Sequence, residues 1–300
     1  MTTVPAAASA RRPASSALRR FLRAPSAWIG LGLMTLLVIG AVFAPQIAPQ
    51  NPFDLAAIDV LDARMTPGSV SSGGDITYLL GTDGQGRDLF SAILYGLRTS
   101  LTVGVGSAVL AGIIGIMLGL IAAWSGGLID ALIMRLVDLL MSLPSILIAL
   151  LMLALLGKGI GNVVLTLVLL EWAYYARTAR AQALVERKRD YFEAARGLGL
   201  PTSRILLRHV LPNCLPPLLV IGALQVARAI TLEATLSFLG LGAPVTQPSL
   251  GLLIANGFQF MLSGEYWISF FPGLTLLTAI VAINLVGDRL REVLDPRALK

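Results

Sequence analysis

Charge, cysteine and histidine are all scarce in this sequence. Only 13% of its 300 residues are Asp, Glu, Lys or Arg, about half the roughly 25% of an average soluble domain, and the mean hydropathy is +0.79. A chain so poor in charge cannot clothe a soluble globule, so the composition points to a membrane protein. The single cysteine, Cys214, excludes an internal disulfide and a multi-cysteine zinc site, and reads as a small apolar filler. The single histidine, His209, is too small a ligand set for a metal. No G-x-x-x-x-G-K-[ST] phosphate loop is present, and no Ser/His or metal constellation falls in the apolar runs, which argues against an intramembrane enzyme. The formal net charge is +6, but apolar runs separate the basic residues, which argues against nucleic acid as a partner and for a topology signal.

What is abundant is apolar sequence. Six segments meet the length of about 20 mostly apolar residues that a spanning helix needs: 27–47, 100–124, 136–156, 161–179, 216–240 and 268–287. The expected fold class is an all-α integral membrane protein with six transmembrane helices and both termini on one side. With the N-terminus inside, 18 Lys and Arg fall on the cytoplasmic side, and four, Arg64, Arg87, Arg98 and Lys158, fall outside. The positive-inside rule then places both termini of this multi-pass protein in the cytoplasm. The apolar run from Ala27 exceeds a signal-peptide h-region and no A-x-A cleavage signal follows, so it reads as a retained first span. The organisation expected is a disordered basic cytoplasmic tail over 1–26 and a six-helix membrane domain over 27–300. Its long outward loops are 48–99 and 241–267, and its cytoplasmic segment is 180–215.

Within that segment lies YFEAARGLGLPTSRILLRHVLPN, residues 191–213. Tyr191, Ala194, Ala195 and Leu198 recur at i, i+3, i+4 and i+7, which predicts a short helix with a small apolar face. Gly197 and Gly199 stand where its C-terminal cap would fall. Pro201 suits the first turn of a second helix, with Thr202 or Ser203 as cap, running through Ile205, Leu206 and Val210 to a stop at Pro212. Such a pair is either a loop helix resting on the bilayer or a knob that docks in a groove of a soluble partner.

The stretch resembles the EAA motif of ABC importer permeases, E-A-A-x-x-x-G followed nine residues later by I-x-L-P; Glu193, Ala194, Ala195, Gly199, Leu211 and Pro212 match it. His209 replaces the usual Ile, and R-H-x-L-P-N is similar to the form found in peptide and nickel permeases. GTDGQGRDLFSAILYGLRTSL, RLVDLLMSLPSILIAL, EWAYYARTAR, EATLSFLGLGAP, PSLG and NLVGDRLREVLDPR resemble that subfamily's further signatures in the same order, over essentially 27–297. Leu250 departs from it, where Trp is more frequent. The resemblance implies an ABC type I importer permease fold, with the 191–213 stretch as the coupling segment and Tyr191, Glu193, Ala194, Ala195, Gly199, Leu211 and Pro212 as its contacts to an ATPase. It also implies a second homologous permease subunit, two ATPase subunits and an external substrate-binding protein as partners beside membrane lipid. The chain would hold no cofactor and no metal, ATP and Mg being bound on the partner subunits. The expected cargo is di- or oligopeptides, with nickel, glutathione, haem or oligosaccharides as alternatives.

Three polar residues in or beside the spans are candidates for the translocation path. Asp138 follows Arg135 by three residues, so the two can pair on one face above the kink expected at Pro144, as a structural pair or a gate. Arg228 and Glu233 lie five residues apart, about 140° around a helix, too far around to pair with each other. Each should face protein or water, either lining the path or pairing with another span. Glu171, beside Trp172, reads as a boundary residue. Gly112, Gly115 and Gly119 read as a packing face, and Asp83, Arg87 and Asp88 as a turn that orders the entry to the second span. An ATPase-independent secondary transporter or channel would need ion-coupling residues in the membrane, and only Arg228 and Glu233 are available.

Overall fold

Long apolar stretches fold as helices, two of them through internal prolines (Pro216 with Pro217, and Pro272), in the computed structural model, which describes residues 19–54, 58–244, 247 and 249–294. Most of the 1–26 tail, Pro248, Arg297 and Lys300 lie outside the described residues. The long elements are α1 (Pro25–Val42), α2 (Leu89–Ser125), α3 (Gly127–Ser142), α4 (Ser145–Leu156) and α5 (Ile160–Glu186). They continue with α6 (Asp190–Gly197), α7 (Thr202–Ile205), α8 (Leu211–Phe238), α9 (Leu250–Phe258) and α10 (Trp267–Leu294). Among the described residues, α1, α2, the continuous Thr202–Phe238 and α10 are each long and apolar enough to cross a membrane, and α3 with α4 makes a fifth span if the bent pair is one. At about 1.5 Å per residue α5 is also long enough, but Glu171, Arg177 and Arg180 dilute its apolarity. The set is compatible with the six helices expected.

Three expectations need correction. The 136–156 segment is no straight rod: the chain breaks at Leu143–Pro144, and α3 and α4 meet at 95°, because proline removes a helix hydrogen bond and clashes with the preceding turn. The second span begins at Leu89 rather than near 100. The 241–267 loop contains α9, whose Gly251 and Gly257 let it lie directly against α8 and the start of α10.

The core of the bundle is the packing of α2 on α5. Gly112 faces the Tyr175 ring, while Gly115 and Gly119 lie against the backbone carbonyls of Trp172 and Ala176. Small residues let the two backbones approach so closely that dispersion replaces the hydrophobic drive that lipid does not supply. α8 packs against both α2 and α5, and α10 packs against α8 and α1. Arg289 near the end of α10 donates to the Arg20 carbonyl at 2.6 Å, so both ends of the described chain lie together.

At the opposite end, a polar cap orders the entry to α2. Asp88 caps that helix, its Oδ2 accepting from the Ser91 amide at 2.8 Å and the Ser91 hydroxyl at 2.5 Å. Arg87 and Asp83 form an ion pair almost closed to solvent, with Nε donating to Oδ2 at 2.7 Å. A two-stranded antiparallel hairpin, β1 (Ser69–Val70) with β2 (Thr77–Tyr78), adds a small β element to the all-α plan. It brings Ser72 and Tyr78 onto the buried Asp62 carboxylate. Trp267 ties the cap to α10 by donating to the Thr82 carbonyl at 3.4 Å.

Burial pushes the Asp62 carboxyl up, but hydrogen bonds from Ser72 and Tyr78 outweigh it and leave the group below its ordinary value. A depressed carboxylate stabilises the folded cap above the unfolded pKa of about 3.9, and that contribution is lost as pH falls through the lower folded value. Asp62→Asn is accordingly expected to cost the cap about 1–2 kcal/mol at neutral pH and to shrink the loss seen on acidification, with hydrogen exchange over 58–88 as the readout. Equal exchange in both proteins at pH 7 would remove Asp62 from the cap's support.

Candidate functional site

The 191–213 stretch folds as the two short helices expected, but with a different inner face. Phe192 and Ala195 are buried, Tyr191 is half-buried, and Ala194 is exposed, as is Leu198 at 78%. The inward direction is set by Phe192, which a pattern built on Tyr191, Ala194, Ala195 and Leu198 placed elsewhere. Its ring stands edge-on to Trp124 at the end of α2, 6.0 Å between centroids. The Arg187 guanidinium lies 5.9 Å from the Trp124 ring and 6.0 Å from the Phe192 ring and donates to the Ala123 carbonyl. Tyr191 donates to Glu186 at 2.7 Å and accepts from Asn213; burial first, then that carboxylate, pushes its phenol up to about 12.

The helix ends on Gly199, whose φ of +66° is left-handed. The Gly199 amide donates to Arg196 and the Leu200 amide to Ala195, the paired closure in which glycine removes the strain a side chain would bear. Pro201 is the cap residue of α7 rather than its first turn. The second helix does not stop at Pro212. A five-residue π turn, Leu206–Val210, carries α7 into α8, with the Leu211 amide donating to Leu206. This wider turn accommodates the missing donor of Pro212, and the Asn213 side chain covers the His209 carbonyl at 2.8 Å.

The inner face belongs to one apolar cluster that joins Phe192 and Ala195 to Leu120 and Ala123 of α2, Ala183 of α5 and Leu218 of α8. Cys214 is a fully buried member of the same cluster. Leu211 is half-buried against it, Pro212 is exposed, and Glu193, Ala194, Arg196 and Leu198 form the outward strip. Phe192, Trp124 and Arg187 thus belong to this site although periodicity did not single them out; the signal available was Phe192 three residues before Ala195. Phe192→Ala is expected to raise hydrogen exchange over residues 190–200 about tenfold or more, the local share of the roughly 3–5 kcal/mol that a buried Phe→Ala costs. Unchanged exchange would show that the ring does not hold the segment.

The polar residues of the spans are distributed differently. Asp138 pairs with Arg177 of α5, not with Arg135, because antiparallel α3 and α5 bring that guanidinium to it. A second rung, Arg180 to Asp130 at 2.5 and 2.6 Å, lies farther along the same two helices. Arg228 donates to Ser145 at 3.0 Å, at the break between α3 and α4, and its guanidinium sits 4.4 Å from the centre of the Tyr174 ring. Glu233 is 2% exposed and accepts from Ser100 at 2.9 Å and Ser237 at 2.7 Å. Ser100 also accepts from the Leu250 amide, so one carboxylate joins α2, α8 and the start of α9. Arg228 and Glu233 have separate partners, as their angular spacing requires. Glu171 is fully buried, and neither carboxylate oxygen has a hydrogen-bond partner among the described residues.

The described structure is a bundle of long apolar helices with a docked helical pair at one end and a polar cap at the other. Residues 115–300 match the family described as the binding-protein-dependent transport system inner membrane component, and residues 12–67 match the N-terminal TM domain of oligopeptide transport permease C. The chain belongs to the first of these families and is a permease subunit of an ABC importer. It is 43% identical over 277 residues to the dipeptide transport system permease protein of Escherichia coli, covering 92% of this chain and 91% of that one. It is 41% identical over 268 residues to the di/tripeptide transport system permease protein of Pseudomonas aeruginosa, covering 89% and 87%. The probable D,D-dipeptide permease of Escherichia coli is 38% identical, covering 89% and 86%. Inward-facing structures of the MetNI methionine ABC transporter share the fold at a TM-score of 0.54 and 20% identity, covering 68% of this chain and 96% of the matched one.

Proposed function

We propose that this subunit forms half of a translocation path for di- or oligopeptides in a bacterial inner membrane, with both termini inside. It pairs with a second homologous permease, receives cargo from an external binding protein, and is driven by two ATPase subunits that hold ATP and Mg. The observation that carries this reading is the two-faced α6: Glu193, Ala194 and Leu198 point outward, while Phe192 and Ala195 are fixed into a cluster shared by three long helices. An apolar residue as exposed as Leu198 on a charged helix suits a groove on a partner. The relatives' names support peptides as cargo.

In this reading inward-open and outward-open states exchange, and the ATPases and the binding protein bias the balance by contacting the two states differently. Arg228 is the favoured path residue, being half-buried beside the α3–α4 break. Glu233 and Asp138, tied to Ser100 and Arg177, hold helices whose relative movement opens that path.

The only native cysteine is buried, so Leu198→Cys supplies a single reactive thiol on α6. In the assembled transporter it is expected to cross-link to an ATPase subunit, with the yield changed by nucleotide. A thiol that is accessible yet captures no ATPase overturns the assignment, and dipeptide uptake in proteoliposomes carrying the cognate binding protein tests the cargo.

A further inference from the structure

Two cavities meet on α2 at Arg98 and Thr102, both of which line both spaces. One is an apolar groove of about 360 Å³ between α1, α2, α8 and α10, floored by small residues including Ala41, Ala279 and Ala282. The other, about 570 Å³, is more polar and is lined by Tyr95, Thr99 and Gln247. Arg98 is exposed, and among the described residues no carboxylate pairs with it. From Arg98 the groove follows α2 inward to Val105, about 10 Å along the helix axis.

A cation nine residues into α2, with an apolar trough below it and a polar chamber beside it, matches an amphiphile with an anionic head. We propose that the groove binds one anionic phospholipid, its phosphate on Arg98, its headgroup in the Tyr95–Gln247 chamber and one acyl chain along Val38, Val42 and Val105. Under the orientation proposed above this is an outer-leaflet lipid. The choice over a protein helix rests on charge: Arg98 is the one charged side chain lining the groove, and among the described residues no carboxylate pairs with it. Val38, Val42 and Val105 remain exposed along its rim and give the chain apolar walls. A basic side chain at the surface adds attraction for anionic lipid that falls off within a Debye length.

The test uses the assembled transporter in nanodiscs doped with phosphatidylglycerol bearing a photoreactive acyl chain, with cross-links mapped by mass spectrometry. Labelling is expected in 34–42, 101–105 and 279–283, reduced about fivefold by Arg98→Gln and retained by Arg98→Lys. A phosphatidylcholine probe should label the groove several-fold less. Val105→Phe, which adds bulk at an exposed position of the groove wall, should displace the label into bulk lipid without changing the thermal midpoint of the complex. Equal labelling by both lipids, insensitive to Arg98→Gln, overturns the proposal in favour of bulk lipid. So does a groove left unlabelled because Val38→Cys cross-links to the second permease. Neither outcome bears on α6 or the ATPases, so this site and the coupling role fail separately.

Discussion

Gly199→Val is expected to lower transport by more than tenfold while the chain still inserts, assembles and shows basal ATP hydrolysis. At φ +66° a β-branched residue is strained by roughly 1–2 kcal/mol, and relief requires unwinding the closure made by the Gly199 and Leu200 amides. The turn is exposed, and a Cβ there meets no neighbouring atom within 4 Å, so the harm is conformational rather than a clash. Gly199→Asn, which tolerates the left-handed region, should restore most of the transport, and that contrast separates backbone geometry from bulk. Glu193→Lys reverses charge on an exposed position and should likewise leave hydrolysis unstimulated by cargo-loaded binding protein. Normal uptake by both Gly199→Val and Glu193→Lys ends the coupling assignment.

Gly115→Leu is expected to abolish the folded complex. A Cβ at Gly115 would run into the Trp172 carbonyl and the Tyr175 Cβ, and at Gly119 into the Ala176 carbonyl and the Ala179 Cβ. The obstacles include backbone, so no rotamer change relieves them, and the cost should reach or pass the roughly 3 kcal/mol upper end of ordinary overpacking. Gly106 lies on the same helix with open space around it, and Gly106→Leu should be tolerated. Yield and thermal midpoint in detergent, read by size-exclusion chromatography, compare the two; equal behaviour would show that α2 and α5 can separate without penalty.

How far residues alone carried these conclusions depends on the range of the interaction. Apolar length located the long helices, because burial in lipid is a local property of the chain, but not all of their ends or breaks, the second beginning about three turns before its apolar run. The glycines of α2 were readable as a packing face for the same reason, as was the Asp83–Asp88 turn. What escaped was set by distant partners. Asp138 found Arg177, 39 residues away, where the nearest basic residue in sequence was Arg135. The full burial of Glu171 was not readable either, because it depends on the helices that cover α5 on that face. Within α6 a single large ring, Phe192, outweighed a run of small residues because it had Trp124 and Arg187 to pack against. Pro212 suggested a stop, and only the widened turn before it explains why the helix continues.

That continuity gives the 202–238 helix the mechanics of an oar. From Thr202 to Arg228 the rod is about 39 Å long, so a swing of about 5° at the bilayer's edge sweeps the guanidinium through roughly 3 Å. Such a stroke matches the 3.0 Å hydrogen bond to Ser145 in length, enough to unfasten it with no change inside the helix itself.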